Sequence, residues 1–120
     1  MGILYITEYG ALTQLVGDAG QMPDENTLMA EQAITFGVNT VSAALNTGTR
    51  YVRLHVDGTS PAAIKFGYGS VTTPPTPVAA NGTQQRFAAN QTEYKGVPTN
   101  GSKATDGSLI QVKIAAITAT

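Results

Sequence analysis

The sequence predicts an all-β chain, a β-sandwich or barrel of about eight short strands with an irregular N-terminal segment. Three observations predict it. Apolar and polar residues alternate strictly in several short runs rich in Val, Ile and Tyr. Turn-forming pairs such as Asn-Gly and Asp-Gly separate those runs. No long stretch repeats at helical period, so the layers that bury the core must be sheets.

Taken in order, the opening Ile3-Leu4-Tyr5-Ile6-Thr7-Glu8-Tyr9 is apolar at successive positions, as expected for a strand covered on both faces. Residues 10–30 mix Gly, Asp and Pro23 with Leu12, Leu15, Val16, Met22, Leu28 and Met29, and read as irregular, with one helical turn expected over 11–16. A loop this long inside one domain is uncommon and often functional, and its apolar side chains need burial on the sandwich or on a partner. Gln32 to Phe36 resumes the alternation. In Tyr51 to Asp57, Val52, Leu54 and Val56 share one face, and Tyr51, Arg53, His55 and Asp57 share the other. Ile64, Phe66 and Tyr68 alternate with Lys65 and Gly67, and Ile110, Val112 and Ile114 alternate with Gln111 and Lys113. Turns are expected at Asn46-Thr47-Gly48, Asp57 to Pro61, Asn81-Gly82, Asn100-Gly101 and Asp106-Gly107. Residues 71–80 hold three prolines, which cannot donate to a ladder, and read as an extended connection or a covered edge. The whole chain, 1–120, is expected to be one domain, with 1–30 forming an N-terminal strand plus a contact arm.

Composition narrows the function. Only 12% of the residues are charged, about half the usual share. A surface poor in charge and rich in Thr, Ala and Gly loses little on desolvation and suits lasting contact with neighbouring subunits. Residues 1–49 carry five acidic and no basic residues, whereas all seven basic residues follow, with three acidic ones. Either the two parts fold over each other and cancel, or the acidic segment meets a basic neighbour. The basic residues are scattered, which argues against nucleic acid as a partner. The opening segment lacks a basic stretch and its apolar run is short, so neither a signal peptide nor a membrane span is expected, and synthesis in the cytoplasm is.

Catalytic chemistry is not expected. There are no cysteines, which removes disulfides, thiolate ligands and thiol nucleophiles. His55 is the single histidine and alternates with core residues, so it is expected on an outward face rather than in a zinc or general-base site. Asp24 and Glu25 are loop neighbours without the spacing of an acid–base pair. Gly67-x-Gly69 sits in a β pattern rather than ahead of a helix, so a phosphate cradle is not expected. No cofactor or metal is implied. The sequons at Asn81, Asn90 and Asn100 carry little weight in a chain so rich in Asn and Thr. Five tyrosines outnumber the phenylalanines, and they suit either a roof over the core, an interface, or a sugar-binding face.

The order of the segments resembles a family. The opening strand to Tyr9, the Gly/Pro-containing segment, Ala30 to Ile34, Ser42 to Asn46, Thr49 to His55, Ile64 to Gly67, Thr92 to Val97 and the closing Ile110 to Ile117 together resemble small virion proteins of tailed bacteriophages. The resemblance implies a capsid decoration (cement) protein with a jelly-roll-like β-sandwich. It implies the major capsid protein as partner, self-association as a dimer or trimer, and a place on the outer capsid surface of the virion. Residues 98–108 depart from it as a longer polar insertion. On this reading residues 1–30 supply the main contact, because they are apolar, acidic and irregular. The candidate interface residues are Ile3, Tyr5, Tyr9, Leu12, Leu15, Met22, Asp24, Glu25, Leu28 and Met29, together with the basic Arg50 and Arg53. The competing readings are a head–tail connector or tail accessory part, and a carbohydrate-binding β-sandwich for host adhesion.

Overall fold

The computed structural model describes residues 2–14, 21–23, 28–80 and 85–119, with strands 12–14 and 21–23 described by backbone alone. Ten strands run through them in chain order: β1 (Gly2–Tyr9), β2 (Leu12–Gln14), β3 (Gln21–Pro23), β4 (Leu28–Phe36), β5 (Thr40–Val41), β6 (Tyr51–Gly58), β7 (Ala62–Ser70), β8 (Gln85–Phe87), β9 (Thr92–Gly96) and β10 (Ile110–Thr118). Eight of them form two four-stranded antiparallel sheets, β4-β1-β6-β9 and β5-β10-β7-β8, while β2 and β3 pair separately as a hairpin.

The alternation in the sequence explains the two layers. Leu4 and Ile6 of β1, Ile34 and Phe36 of β4, and Val52, Leu54 and Val56 of β6 face Ala62 and Ile64 of β7, Phe87 of β8, and Val112, Ile114 and Ala116 of β10 in one core. Leu45 and Val97 close that core from the loops, and Phe66 packs half-buried against it. Full burial of a Val, Leu, Ile or Phe side chain contributes roughly 1.5–3 kcal/mol, so this cluster is the main source of stability.

The strands pair as nested ribbons: β7 with β8, β6 with β9, β5 with β10, and β4 with β1. Nested antiparallel pairing rolled into two sheets is jelly-roll wiring. Here β1 stands where a strand following β10 would complete the roll. The two ends of the described chain accordingly meet. Gly2 pairs with Phe36, and the Thr118 amide donates to the carbonyl of the next residue, Gly37, at 3.2 Å.

Several sequence expectations change in detail. Residues Leu12–Gln14 are a strand rather than part of a helical turn, because they pair with Gln21–Pro23 across a hairpin. The strand expected at Gln32 begins at Leu28 and runs nine residues. β1 is covered on both faces only toward its end, at Thr7, Glu8 and Tyr9, whereas Tyr5 is 40% exposed. Tyr68 lies past the rim of the core and is exposed.

The proline segment is a strap over the outer face of the second sheet. Pro75, Pro77 and Ala79 are buried and alternate with exposed neighbours. A Cβ on Gly67 would stand 2.7 Å from the Pro77 ring, and one on Gly69 would stand 2.6 Å from Pro75 N. The Gly67-x-Gly69 spacing thus makes room for this strap.

Candidate functional site

Two polar assemblies stand out. One is internal and the other faces outward, and the internal one fixes the loops at one end of the sandwich. Glu8 is 2% exposed, and its Oε1 accepts hydrogen bonds from Asn46 N at 2.7 Å and Thr49 Oγ1 at 2.8 Å. Asn46 starts a tight turn in which Thr49 N donates to Asn46 O at 2.9 Å and Gly48 N donates to Asn46 Oδ1 at 2.9 Å. Asn100 is fully buried, and its Nδ2 donates to Asn46 O at 2.7 Å and Thr49 O at 3.0 Å. Arg50 Nη1 donates to the carbonyl oxygens of Thr47, Thr49 and Asn100. Gly101 has φ +79, and a side chain there would run into the Thr47 carbonyl oxygen.

This assembly accounts for residues 98–108. Their first turn docks under the 46–50 turn. The rest forms a short hairpin bridged at Lys103 and Leu109, with Ile110 N donating to Ser102 O at 2.7 Å. The hairpin is tethered to the strap through Asp106. Its Oδ2 accepts from Thr72 Oγ1 at 2.7 Å, and its Oδ1 accepts from Ser108 N and Oγ. These bonds lower the Asp106 carboxyl from its usual value to about 2, the Ser108 hydroxyl first, then the Thr72 hydroxyl and the Ser108 backbone N–H. The Asn100 amide is committed inside the fold, which takes that sequon out of reach.

The outward assembly lies on the β4-β1-β6-β9 sheet. Register places Glu31, Thr7, Arg53 and Tyr94 in one cross-strand row and Ala33, Tyr5, His55 and Thr92 in the next. Thr7 and Ala33 are short, so a depression of about 390 Å³ opens among Tyr5, Thr7, Glu31, Ala33, Arg53 and His55. His55 Nδ1 is hydrogen-bonded to Thr92 Oγ1 at 2.6 Å, which fixes its ring on the outward face expected from the alternation. Among the described residues the one ion pair is Lys95 with Glu93 at 3.4 Å, so Arg53 and Glu31 are both unpaired.

The residues expected at an interface are distributed as follows. Tyr5 and Arg53 meet at the depression, and Ile3 lies half-buried beside them on the same face of β1. Tyr9 is buried at 3% exposure. Leu28 and Met29 are 45% and 41% exposed at the start of β4. Arg50 serves the internal assembly. Leu12 and Met22 lie on the hairpin strands, their side chains outside the described part, and Leu15, Asp24 and Glu25 lie outside the described residues altogether. Sequence reasoning passed over Glu31, Thr7, Ala33 and Tyr94 as site residues. Only their register with Tyr5 and Arg53 brings them there.

Set against known proteins, the chain stands apart. No protein-family model, no curated protein and no solved structure matches it. Among the described residues no group of three His, Asp or Glu side chains is placed to hold a metal ion. Among the described residues no helix is long and apolar enough to cross a membrane.

Proposed function

We propose that this chain is a structural protein of a tailed-phage virion that binds the outer capsid surface and bridges major capsid protein subunits, as a dimer or trimer. The observation that supports it best is the exposure of Leu28 and Met29 at the root of β4, where the β2–β3 hairpin returns to a sandwich poor in charge. The body behind that patch is held by buried polar bonds around Thr49, which suits a part that must be rigid. Covering the patch removes apolar surface from water at roughly 25 cal/mol per Å².

The mechanism is mass action. A protein that binds the assembled shell and not its separated subunits stabilises the shell by its binding free energy. A standard interface buries roughly 1,600 Å² in total, and repetition over many copies multiplies a modest contact. The proposal involves no bond-making step.

The contact cannot be tested by removing the N-terminal residues, because β1 is a central strand with Leu4 and Ile6 in the core. The informative variant is Leu28→Asp with Met29→Asp, mixed with purified shells that lack the protein. Folded variant that no longer cosediments with shells, beside wild type that does, supports the reading; undiminished cosedimentation overturns it. Copy number in particles separates a decoration protein, present in hundreds, from a connector present in about a dozen.

A further inference from the structure

We infer that the outer face of the β4-β1-β6-β9 sheet carries a binding site for a neutral saccharide, formed by Tyr5, Glu31, Arg53 and His55. This inference does not rest on the capsid reading.

The register builds the site. Glu31 and Arg53 lie two strands apart with the nearly buried Thr7 between them. At about 4.8 Å per strand their Cα atoms stand roughly 9.6 Å apart, and the two heads are not ion-paired across Thr7, which leaves room for one small molecule between them. Each has no ion-pair partner among the described residues. In the adjoining row Ala33 lowers the floor beside Tyr5, a residue 40% exposed. Across from Tyr5, His55 is held by Thr92 through Nδ1, which leaves Nε2 as its free polar edge. Tyr94, 50% exposed, stands opposite Arg53 in register on the neighbouring strand β9.

The chemistry of the two heads narrows the ligand. A guanidinium offers a planar fork of donors, and a carboxylate offers acceptors only. An anionic ligand would satisfy Arg53 and be repelled by Glu31. A cationic ligand would do the reverse. An apolar ligand would strip water from both heads without replacing its hydrogen bonds, which is costly. A molecule with neighbouring hydroxyls meets all the conditions. One hydroxyl donates to Glu31, others accept from Arg53, and its C–H face lies on the Tyr5 ring, apolar on its face and polar at its tip. The depression of about 390 Å³ falls in the small-ligand range of about 300–1,000 Å³.

The test is saturation-transfer NMR on the full chain with glucose, galactose, mannose, N-acetylglucosamine, maltose and lactose, and with galacturonate and glucosamine as charged probes. The variants are Tyr5→Ala, Arg53→Gln and Glu31→Gln. Lys65→Ala, on the other sheet, is the control, and each fold is checked by its amide spectrum. The expected result is transfer to at least one neutral sugar, weakened about tenfold by Arg53→Gln and by Glu31→Gln and unchanged by Lys65→Ala. Absence of transfer to every neutral sugar with folded wild type overturns the proposal. So does transfer confined to the charged probes, or transfer that the variants leave unchanged. Should Tyr5→Ala fail to fold, the two charge-removing variants carry the test.

Discussion

Glu8 and Asn100 both bind Thr49, one through its hydroxyl and the other through its carbonyl oxygen. Glu8 Oε1 accepts from Thr49 Oγ1 at 2.8 Å, and Asn100 Nδ2 donates to Thr49 O at 3.0 Å, although the three residues come from separate parts of the chain. A strand, a turn and a loop are thereby joined at one buried point.

Replacing Asn100 by Ala removes both of its donated bonds and leaves the Asn46 carbonyl oxygen with Thr49 N and the Thr49 carbonyl oxygen with Arg50 Nη1 as their remaining donors. The expected loss is about 1–3 kcal/mol, read as a lower midpoint in urea unfolding. Combined with Glu8→Ala, the loss departs from additivity by about 0.5–3 kcal/mol, because the two residues share Thr49. Strict additivity would show that they act separately.

Gly101→Ala is expected to cost about 3 kcal/mol or more, since a left-handed backbone and the Thr47 carbonyl oppose the same methyl group. Thermal unfolding measures it. Gly107→Ala is the comparison, with φ +87 and nothing within 4 Å of the added carbon. It is expected to lose clearly less, and equal losses would remove the role given to the Thr47 contact.

Gly67→Val is expected to lift the proline strap rather than unfold the sandwich, because the new side chain meets the Pro77 ring on the outer face. Hydrogen exchange resolves the two outcomes. Amides within 70–80 should exchange faster while those of Val52, Leu54 and Val56 keep their protection.

The Asp106 tether gives a pH dependence with a definite sign. Its carboxyl is depressed in the folded chain to about 2 from a usual 3.8. The group therefore favours the folded loop fully above its unfolded value, and the contribution fades as pH falls through about 2. Acid titration followed at the Thr72 and Ser108 amides should show the step below pH 4, and Asp106→Asn should abolish it. Identical titrations in both proteins would show that the carboxyl does not hold the loop.

The sheets were legible where period two was strong. Val52, Leu54 and Val56 point inward as the alternation requires, as do Val112 and Ile114. The β2–β3 hairpin was not, because Leu12, Leu15 and Val16 have a spacing that also fits a helical turn. Leu28 to Glu31 lacks the alternation that would mark it as strand, since both Leu28 and Met29 stay exposed. The bonds among Glu8, Thr49 and Asn100 leave no local trace, because polar residues far apart in sequence carry no spacing that announces their meeting. Glu8 counted in the sequence only as one of the five acidic residues of 1–49, and it is enclosed. Arg50 read as an interface cation and is an internal donor. On the outward face, Tyr5 and Arg53 were singled out from the sequence, but Glu31 and Thr7 join them only through strand register.

The junction of Gly2 with Phe36 and of Thr118 with Gly37 bears on how this protein can be joined to others. Passenger peptides spliced before β1 or after β10 would emerge from a single corner. That corner is separated from the hairpin end by the length of β1, roughly 23 Å at 3.3 Å per residue. Cargo joined at that corner would trail from the side away from the hairpin.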